Sequence, residues 1–105
     1  MRDSTDFRTT VRRGTRGVQP CLIAHVASGS DERTTVGFVV SKAVGSAVDR
    51  NRVKRRLRHL MRDRVDQLPV GSRIVVRALP SSASASWHTL GAQLDAALQR
   101  SSVLR

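Results

Sequence analysis

An apolar stripe with helical spacing in residues 45–66 is the feature that most constrains the fold of this chain. Aliphatic side chains recur there every three or four residues, which is the period of one buried face of an amphipathic helix. The stripe consists of Val53, Leu57, Leu60, Met61 and Val65. Ser46, followed three residues later by Asp49, resembles a capping box and predicts the helix N-terminus. Because such a stripe must be buried against another element, we expect a layered domain.

Shorter patterns on either side of this helix predict the remaining elements. In chain order they are an N-terminal helix within 4–14, strands at 21–27, 34–41 and 72–79, and a final helix from Trp87 through Leu98. A polar turn at 28–33 joins the first two strands, which predicts an antiparallel hairpin. This order favours an α+β fold, an α/β two-layer sandwich in which helices pack against one small central sheet.

The charge of the chain indicates a polyanionic partner. Nineteen basic and 8 acidic residues give the 105-residue chain a formal net charge of +11. Lys42 and Lys54 are the only lysines, so nearly all of this charge is arginine, whose planar guanidinium binds phosphate with two hydrogen bonds. A nucleic acid is therefore the expected partner, and an anionic membrane surface or an acidic protein is the alternative.

Length and cysteine content indicate the cellular setting. A chain of 105 residues fits a single domain spanning 1–105. Cys21 is the only cysteine, which excludes an internal disulfide and fits a reducing compartment. The polar N-terminus lacks the apolar run of a signal peptide, and no stretch reaches the ~18 apolar residues of a membrane span. We expect a soluble, cytoplasmic protein with no membrane partner.

Residues Arg50–Arg58 form the most basic segment. Seven of these nine residues are polar and six are cationic. Like charges three and four residues apart repel each other on a helix, so a face built only for solvation is the less favoured alternative. Asn51 is the uncharged polar residue among them, and its amide can both donate and accept hydrogen bonds. The pattern predicts a helix face that binds a sugar-phosphate backbone.

No set of residues in the sequence suits self-sufficient hydrolysis. His25, His59 and His88 have no carboxylate or cysteine partner at metal-ligand spacing, and no glycine-rich loop has nucleotide-binding spacing. For His59, on the basic helix, RNA contact and a solvated position are equally favoured. Cys21 is interpreted as a small strand residue rather than a nucleophile. Trp87 is interpreted as a core or helix-end residue, and base stacking is the less favoured alternative. We expect no catalytic residue and no metal bound by the protein alone.

In combination these residues resemble a known family. Residues 37–42 read Gly-Phe-Val-Val-Ser-Lys, and residues 44–48 read Val-Gly-Ser-Ala-Val, shortly before Arg-Asn-Arg-Val-Lys-Arg at 50–55. This order is similar to the signature of the bacterial ribonuclease P protein. The resemblance continues at 6–14, at 74–80 and in the leucines of the final helix, so it covers essentially the whole chain.

The resemblance implies a fold like the second domain of ribosomal protein S5, with the order α-β-β-β-α-β-α. It also implies a left-handed βαβ crossover that carries the basic helix. Sterics alone favour a right-handed crossover in about 98% of cases, so the left-handed form rests on the resemblance. Family members often carry a longer basic N-terminal extension, which this chain is expected to lack.

The resemblance further implies a division of labour. A large RNA binds Mg²⁺ and cleaves precursor tRNA to leave the mature 5′ end, while the protein alone is not expected to cleave. The implied partners are ribonuclease P RNA, in a 1:1 complex with a protein that is monomeric when free, and the 5′ leader of precursor tRNA. The implied RNA-binding residues are Arg50, Asn51, Arg52, Lys54, Arg55, Arg58, Arg62 and Lys42.

A leader-binding cleft between the N-terminal helix and one sheet face also follows from the resemblance. Its members here would be Phe7, Arg8, Val11, Ile23, His25, Val39 and Ser41. Val11 stands where the family often has a second aromatic residue, so an apolar contact replaces a stacking one. Two alternatives stay open: a structural, ribosomal-type RNA-binding protein with no role in tRNA processing, and a stand-alone nuclease.

Overall fold

Four strands and two helices make up the part of the chain that the computed structural model describes, residues 15–28 and 33–100. The elements are β1 (Thr15–Val18), β2 (Leu22–Ser28), β3 (Thr35–Val39), α1 (Ala47–Arg62), β4 (Ser72–Ala78) and α2 (Trp87–Arg100). Short 3₁₀ turns at Lys42–Val44, Val65–Gln67 and Pro80–Ala83 connect them. The predicted N-terminal helix, with Phe7, Arg8 and Val11 of the predicted cleft, lies outside the described residues.

The strands form one sheet in the order β1-β2-β4-β3. β2 runs antiparallel to both β1 and β4, whereas β3 and β4 are parallel neighbours joined through α1. The predicted antiparallel hairpin between 21–27 and 34–41 is wrong, because β4 lies between these strands. The consecutive residues Ile74–Val76 of β4 are at most 1% exposed. A strand that is buried on both faces belongs in the middle of a sheet. The burial of β4 therefore outweighs the pairing of β2 with β3, which are neighbours only in the sequence.

β1 is a strand that the residue pattern did not predict, although the resemblance implies three strands before the basic helix. It pairs with β2 from Thr15 opposite Val26 to Val18 opposite Ile23. A Cβ on Gly17 would overlap the carbonyl group of Ala97 in α2. The position of β1 therefore depends on a close approach of the sheet to α2. A strand of only four residues is too short to show the alternating pattern from which strands are predicted.

The hydrophobic core lies between one face of the sheet and the two helices. Its side chains come from α1 (Val53, Leu57, Leu60, Met61), from α2 (Leu90, Leu94, Ala97, Leu98) and from the sheet (Leu22, Ala24, Val26, Ile74, Val76, Ala78). The alternation in β2 and the leucine spacing of the last helix are confirmed. The predicted stripe of the basic helix is confirmed except at Val65, which lies in the 3₁₀ turn after the helix and is only partly buried. Because the apolar stripe faces the sheet, the basic residues of α1 point away from the core.

The C-terminal end of α1 is tied to α2 by one arginine. The helix ends at Arg62, about one turn before the predicted Asp66. Arg64 donates from Nε to Oδ1 of Asp95 in α2 at 2.6 Å, and from Nη1 to the Leu60 carbonyl at 2.8 Å. This pair of bonds satisfies a carbonyl of the last helical turn and fixes α1 against α2.

Candidate RNA-binding surface

The N-terminus of α1 is fixed by the predicted capping box. Ser46 Oγ accepts the Asp49 N–H at 3.3 Å, and Asp49 Oδ2 accepts the Ser46 N–H at 3.4 Å. Gly45 adopts φ 152°, a backbone conformation that side chains rarely adopt. A Cβ there would lie 2.7 Å from Asp49 Oδ2. Glycine at this position therefore lets the chain turn from the 3₁₀ segment into the basic helix.

One side of α1 faces the edge strand β3 and forms a hollow surface with it, which we call the α1–β3 groove. One hollow, of about 410 Å³, is lined by Phe38, Val39, Val40, Ala47, Arg50, Asn51 and Lys54. A second, of about 320 Å³, is lined by Val36, Phe38, Arg58, Met61, Arg62 and Val65. The structure thus brings five of the eight predicted RNA-binding residues together around an apolar floor.

Arg55 and Lys42 are both exposed, whereas Arg52 is only partly exposed and bonds within the protein. Arg52 Nη2 donates to Asp49 Oδ1 at 3.0 Å and to the Ala83 carbonyl at 3.3 Å. Its carbonyl partner lies 31 residues away in the chain, which no local pattern reveals. Arg52 therefore joins α1 to the Pro80–Ala83 turn in addition to any contact with RNA.

The second face of the sheet, opposite the helices, carries three predicted cleft residues: Ile23, His25 and Val39. Because β3 is an edge strand, Val39 also lines the α1–β3 groove. Register places Arg16 beside His25, and Arg77 between Ile23 and Val39. Sequence reasoning did not include these two arginines, because their positions beside the cleft residues depend on the strand order. The remaining predicted residue, Ser41, is exposed and lies beyond the end of β3.

His25 is the buried titratable group of this second face. Its side chain is 3% exposed, and neither ring nitrogen has a hydrogen-bond partner. Burial, followed by the charges of Arg16 and Arg77, lowers the pKa of His25 from its ordinary value of 6.5. The imidazole is therefore neutral at pH 7, and the positive charge of this face resides on the arginines.

Two aromatic rings lie on the side of α1 away from β3. The ring centroids of His59 and Trp87 are 6.5 Å apart, and the ring planes are tilted by 58°. Trp87 is the first residue of α2, which confirms the helix-end interpretation over the core one.

Among residues 15–28 and 33–100, no three His, Cys, Asp or Glu side chains cluster as metal ligands. No helix in these ranges is long and apolar enough to cross a membrane.

Comparison with known proteins identifies the family. The sequence model of the Ribonuclease P family matches residues 1–102. The chain belongs to the ribonuclease P protein family. It is 55% identical over 109 residues to the ribonuclease P protein component of Streptomyces avermitilis, covering 95% of this chain and 89% of that protein. The component from Mycobacterium sp. strain KMS is 49% identical over 102 residues, with coverage of 95% and 86%.

Solved ribonuclease P proteins share the fold. The protein from Staphylococcus aureus superposes with a TM-score of 0.88 at 20% identity, over 100% of this chain and 96% of that one. The protein from Thermotoga maritima, in complex with 1-(4-fluorophenyl)-2-thiourea, gives a TM-score of 0.79 at 22% identity, over 90% and 92%. The α+β fold with one small sheet is therefore the ribonuclease P protein fold.

Membership of the ribonuclease P family establishes the general activity. The chain is a protein subunit of a tRNA-processing endoribonuclease whose catalysis resides in RNA, and ribonuclease P RNA is its partner. The structural, ribosomal-type alternative is not favoured. Which residues contact the RNA depends on the geometry of α1 and the sheet.

Proposed function

We propose that the α1–β3 groove, together with Arg55 and Lys42, docks on ribonuclease P RNA, and that the second face of the sheet receives the 5′ leader of precursor tRNA. The observation that carries this proposal is the row of cations around Asn51 on one side of α1, beside an apolar edge strand. In this arrangement the protein positions both RNAs, while ribonuclease P RNA performs the cleavage.

The groove cations favour phosphate as their partner. Within the described residues, acidic side chains pair with Arg52 and Arg64, and the four groove cations have no ion-pair partner. These cations, Arg50, Lys54, Arg58 and Arg62, follow one another at intervals of four residues. Like charges at this spacing repel, and phosphates bound along the groove would remove that repulsion.

The second face suits a single-stranded leader. Ile23 and Val39 provide apolar surface, and Arg77 lies between them in the sheet register. Arg16 lies at the other side, beside His25. Single strands bind without strong sequence preference to surfaces that combine basic groups with apolar or aromatic contacts.

Magnesium does not fit the donor chemistry of the α1–β3 groove. Its polar groups are guanidinium, ammonium and amide, whereas Mg²⁺ prefers carboxylate, phosphate and water oxygens. We therefore assign Mg²⁺ to the RNA, and the role of the protein is to offset phosphate repulsion so that less Mg²⁺ is needed. We further propose a 1:1 complex, a monomeric free protein and a cytoplasmic location.

Reconstitution at limiting Mg²⁺ tests the docking surface. The double variant Asn51→Ala, Arg55→Ala should lower precursor tRNA cleavage by about tenfold or more, because each lost charge-assisted bond contributes about 1.5–3 kcal/mol. The loss should diminish at high Mg²⁺. Losing one phosphate contact should also reduce the salt dependence of RNA affinity by about 0.7–0.9 log units per log of salt.

Arg33→Ala, Arg100→Ala is the matched control, because it removes two exposed charges outside both surfaces. This control should cleave like the wild type. Full cleavage by the Asn51, Arg55 variant at limiting Mg²⁺ contradicts the docking surface. The protein without RNA is the further control, and cleavage by it alone would favour the stand-alone nuclease.

A further inference from the structure

Trp87 is an exposed aromatic residue that the α1–β3 groove does not use. It is 49% exposed, although large aromatic side chains usually bury most of their surface. Ser86 caps α2 by accepting the Thr89 N–H on Oγ at 3.1 Å, which fixes Trp87 as the first helical residue. The indole therefore lies on a rigid helix end, with about half of its surface available to a partner.

Two arginines of the basic helix hold the segment before Trp87. Arg56 Nη1 donates to the Ala85 carbonyl at 3.3 Å, and Arg52 Nη2 donates to the Ala83 carbonyl at the same distance. Both bonds join α1 to backbone about 30 residues later in the chain. The basic helix thus positions an aromatic ring beside its own surface.

The neighbours of Trp87 favour a nucleic-acid base as its partner. His59 is exposed and its ring is tilted by 58° to the indole, so the two rings do not cover each other face to face. Arg55 lies one helical turn before His59 and is exposed on the same part of α1. An aromatic face beside a free cation is the combination that binds a base and its phosphate.

We propose that Trp87 and His59 form a stacking site for an unpaired base of ribonuclease P RNA, whose phosphate binds Arg55. This inference rests on the proposed docking of α1 and extends that surface around the helix to α2. Stacking is tolerant of sequence because every base has an aromatic face, so the site contributes affinity rather than sequence recognition. Arg52 and Arg56 have a positioning role for this site, because their bonds to the Ala83 and Ala85 carbonyls hold the backbone before Trp87.

The tryptophan itself provides the test. The chain contains one Trp and no Tyr, so its ultraviolet emission reports on Trp87 alone. Titration with ribonuclease P RNA should quench this emission and shield it from acrylamide, with the same midpoint as an electrophoretic mobility titration. RNA binding seen by mobility, with unchanged emission and unchanged acrylamide access, overturns the stacking site. Absence of any mobility shift overturns the proposed docking instead, so the two failures are distinguishable.

Substitutions separate stacking from charge. Trp87→Leu should weaken RNA affinity about fivefold or more, the lower end of the effect of losing one stacked base, without changing the salt dependence. Trp87→Phe should retain most of the affinity. Val70→Ala, which trims another exposed apolar side chain, should bind like the wild type. If Trp87→Leu folds and binds RNA with wild-type affinity, the proposal is overturned. If that variant does not fold, the fluorescence titration of the wild type is the deciding test.

Discussion

At the scale of single residues, the arginines of α1 and its C-terminal end fall into two groups that composition cannot separate. Arg52, Arg56 and Arg64 donate to carbonyl or carboxylate oxygens of the protein itself. Arg55 and Arg58 are exposed, and within residues 15–28 and 33–100 no acidic side chain pairs with either. Side chains of the first group hold α1 against its neighbours. Those of the second group are available to phosphate, which is why substitutions in the two groups should have different consequences.

His25 predicts a specific pH dependence of stability. The folded protein lowers the pKa of His25 below its ordinary value of 6.5, mainly through burial and then through Arg16 and Arg77. The unfolded chain therefore binds more protons as the pH falls through about 6.5, and this part of the stability is lost toward the lower folded pKa. His25→Leu should consequently lose less unfolding free energy than the wild type between pH 7.5 and 5.5 in urea titrations.

The matched control for this measurement is His88→Leu, which removes an exposed histidine from the first turn of α2. It should keep the wild-type difference between the two pH values. An equal loss of stability in wild type and His25→Leu would show that His25 is not held neutral by the fold.

At the scale of elements, the contact between β1 and α2 decides how the edge of the sheet is covered. The helix lies so close to the strand that Gly17 faces the Ala97 backbone with no room for a side chain. Backbone cannot move aside as a flexible side chain can, so the spacing of the two elements depends on this glycine.

Gly17→Ala should therefore destabilise the protein by about 3 kcal/mol, near the upper end of the usual cost of overpacking. Its Cβ would lie 2.7 Å from the Ala97 carbonyl carbon. Gly91→Ala is the control within α2, because its Cβ would meet only side-chain atoms of Arg64 and Leu60, both at 3.3 Å. Alanine is more favourable than glycine within a helix by about 1 kcal/mol, and this gain should keep the stability of that variant near the wild-type value. Equal unfolding midpoints in urea for both variants would contradict the close approach.

At the scale of the whole molecule, two basic surfaces lie on opposite sides of the sheet. The α1–β3 groove belongs to the helix layer, whereas Arg16 and Arg77 lie on the second face. A chain of +11 net charge thus presents cations to both sides of one thin layer. This arrangement allows one small protein to contact two RNAs, and it makes the two contacts separable by mutation.

Arg77→Ala should weaken binding of precursor tRNA to the reconstituted ribonucleoprotein about tenfold, while binding of mature tRNA without a leader stays unchanged. The reason is that Arg77 lies on the proposed leader face and is exposed. In a triple variant with Asn51→Ala and Arg55→Ala, the changes in the free energy of precursor tRNA binding should add, because the substituted residues lie on separate surfaces. Equal effects on both tRNAs in a competition assay would remove Arg77 from the leader site, and Arg100→Ala serves as the single-charge control.

Local signals in the sequence were enough for the parts of the fold that depend on near neighbours. The apolar stripe of α1, the Ser46–Asp49 capping box and the leucines of α2 all follow from spacings of three or four residues. The cluster of cations around Asn51 follows from the same spacing, since one helix side gathers residues 50, 51, 54, 58 and 62. The resemblance to the ribonuclease P protein likewise rests on short contiguous stretches, at 37–42, 44–48 and 50–55.

Tertiary structure alone decided the contacts between residues distant in the chain. It inserted β4 between β2 and β3, because a strand buried on both faces needs two neighbours. The tertiary structure also determines that Arg52 and Arg56 bond to the Ala83 and Ala85 carbonyls before Trp87. It likewise determines that Arg16 lies opposite His25, and Arg77 opposite Ile23, on the second face of the sheet. Such partners are chosen by packing of the whole sheet and its helices, and periodicity within one segment carries no information about them.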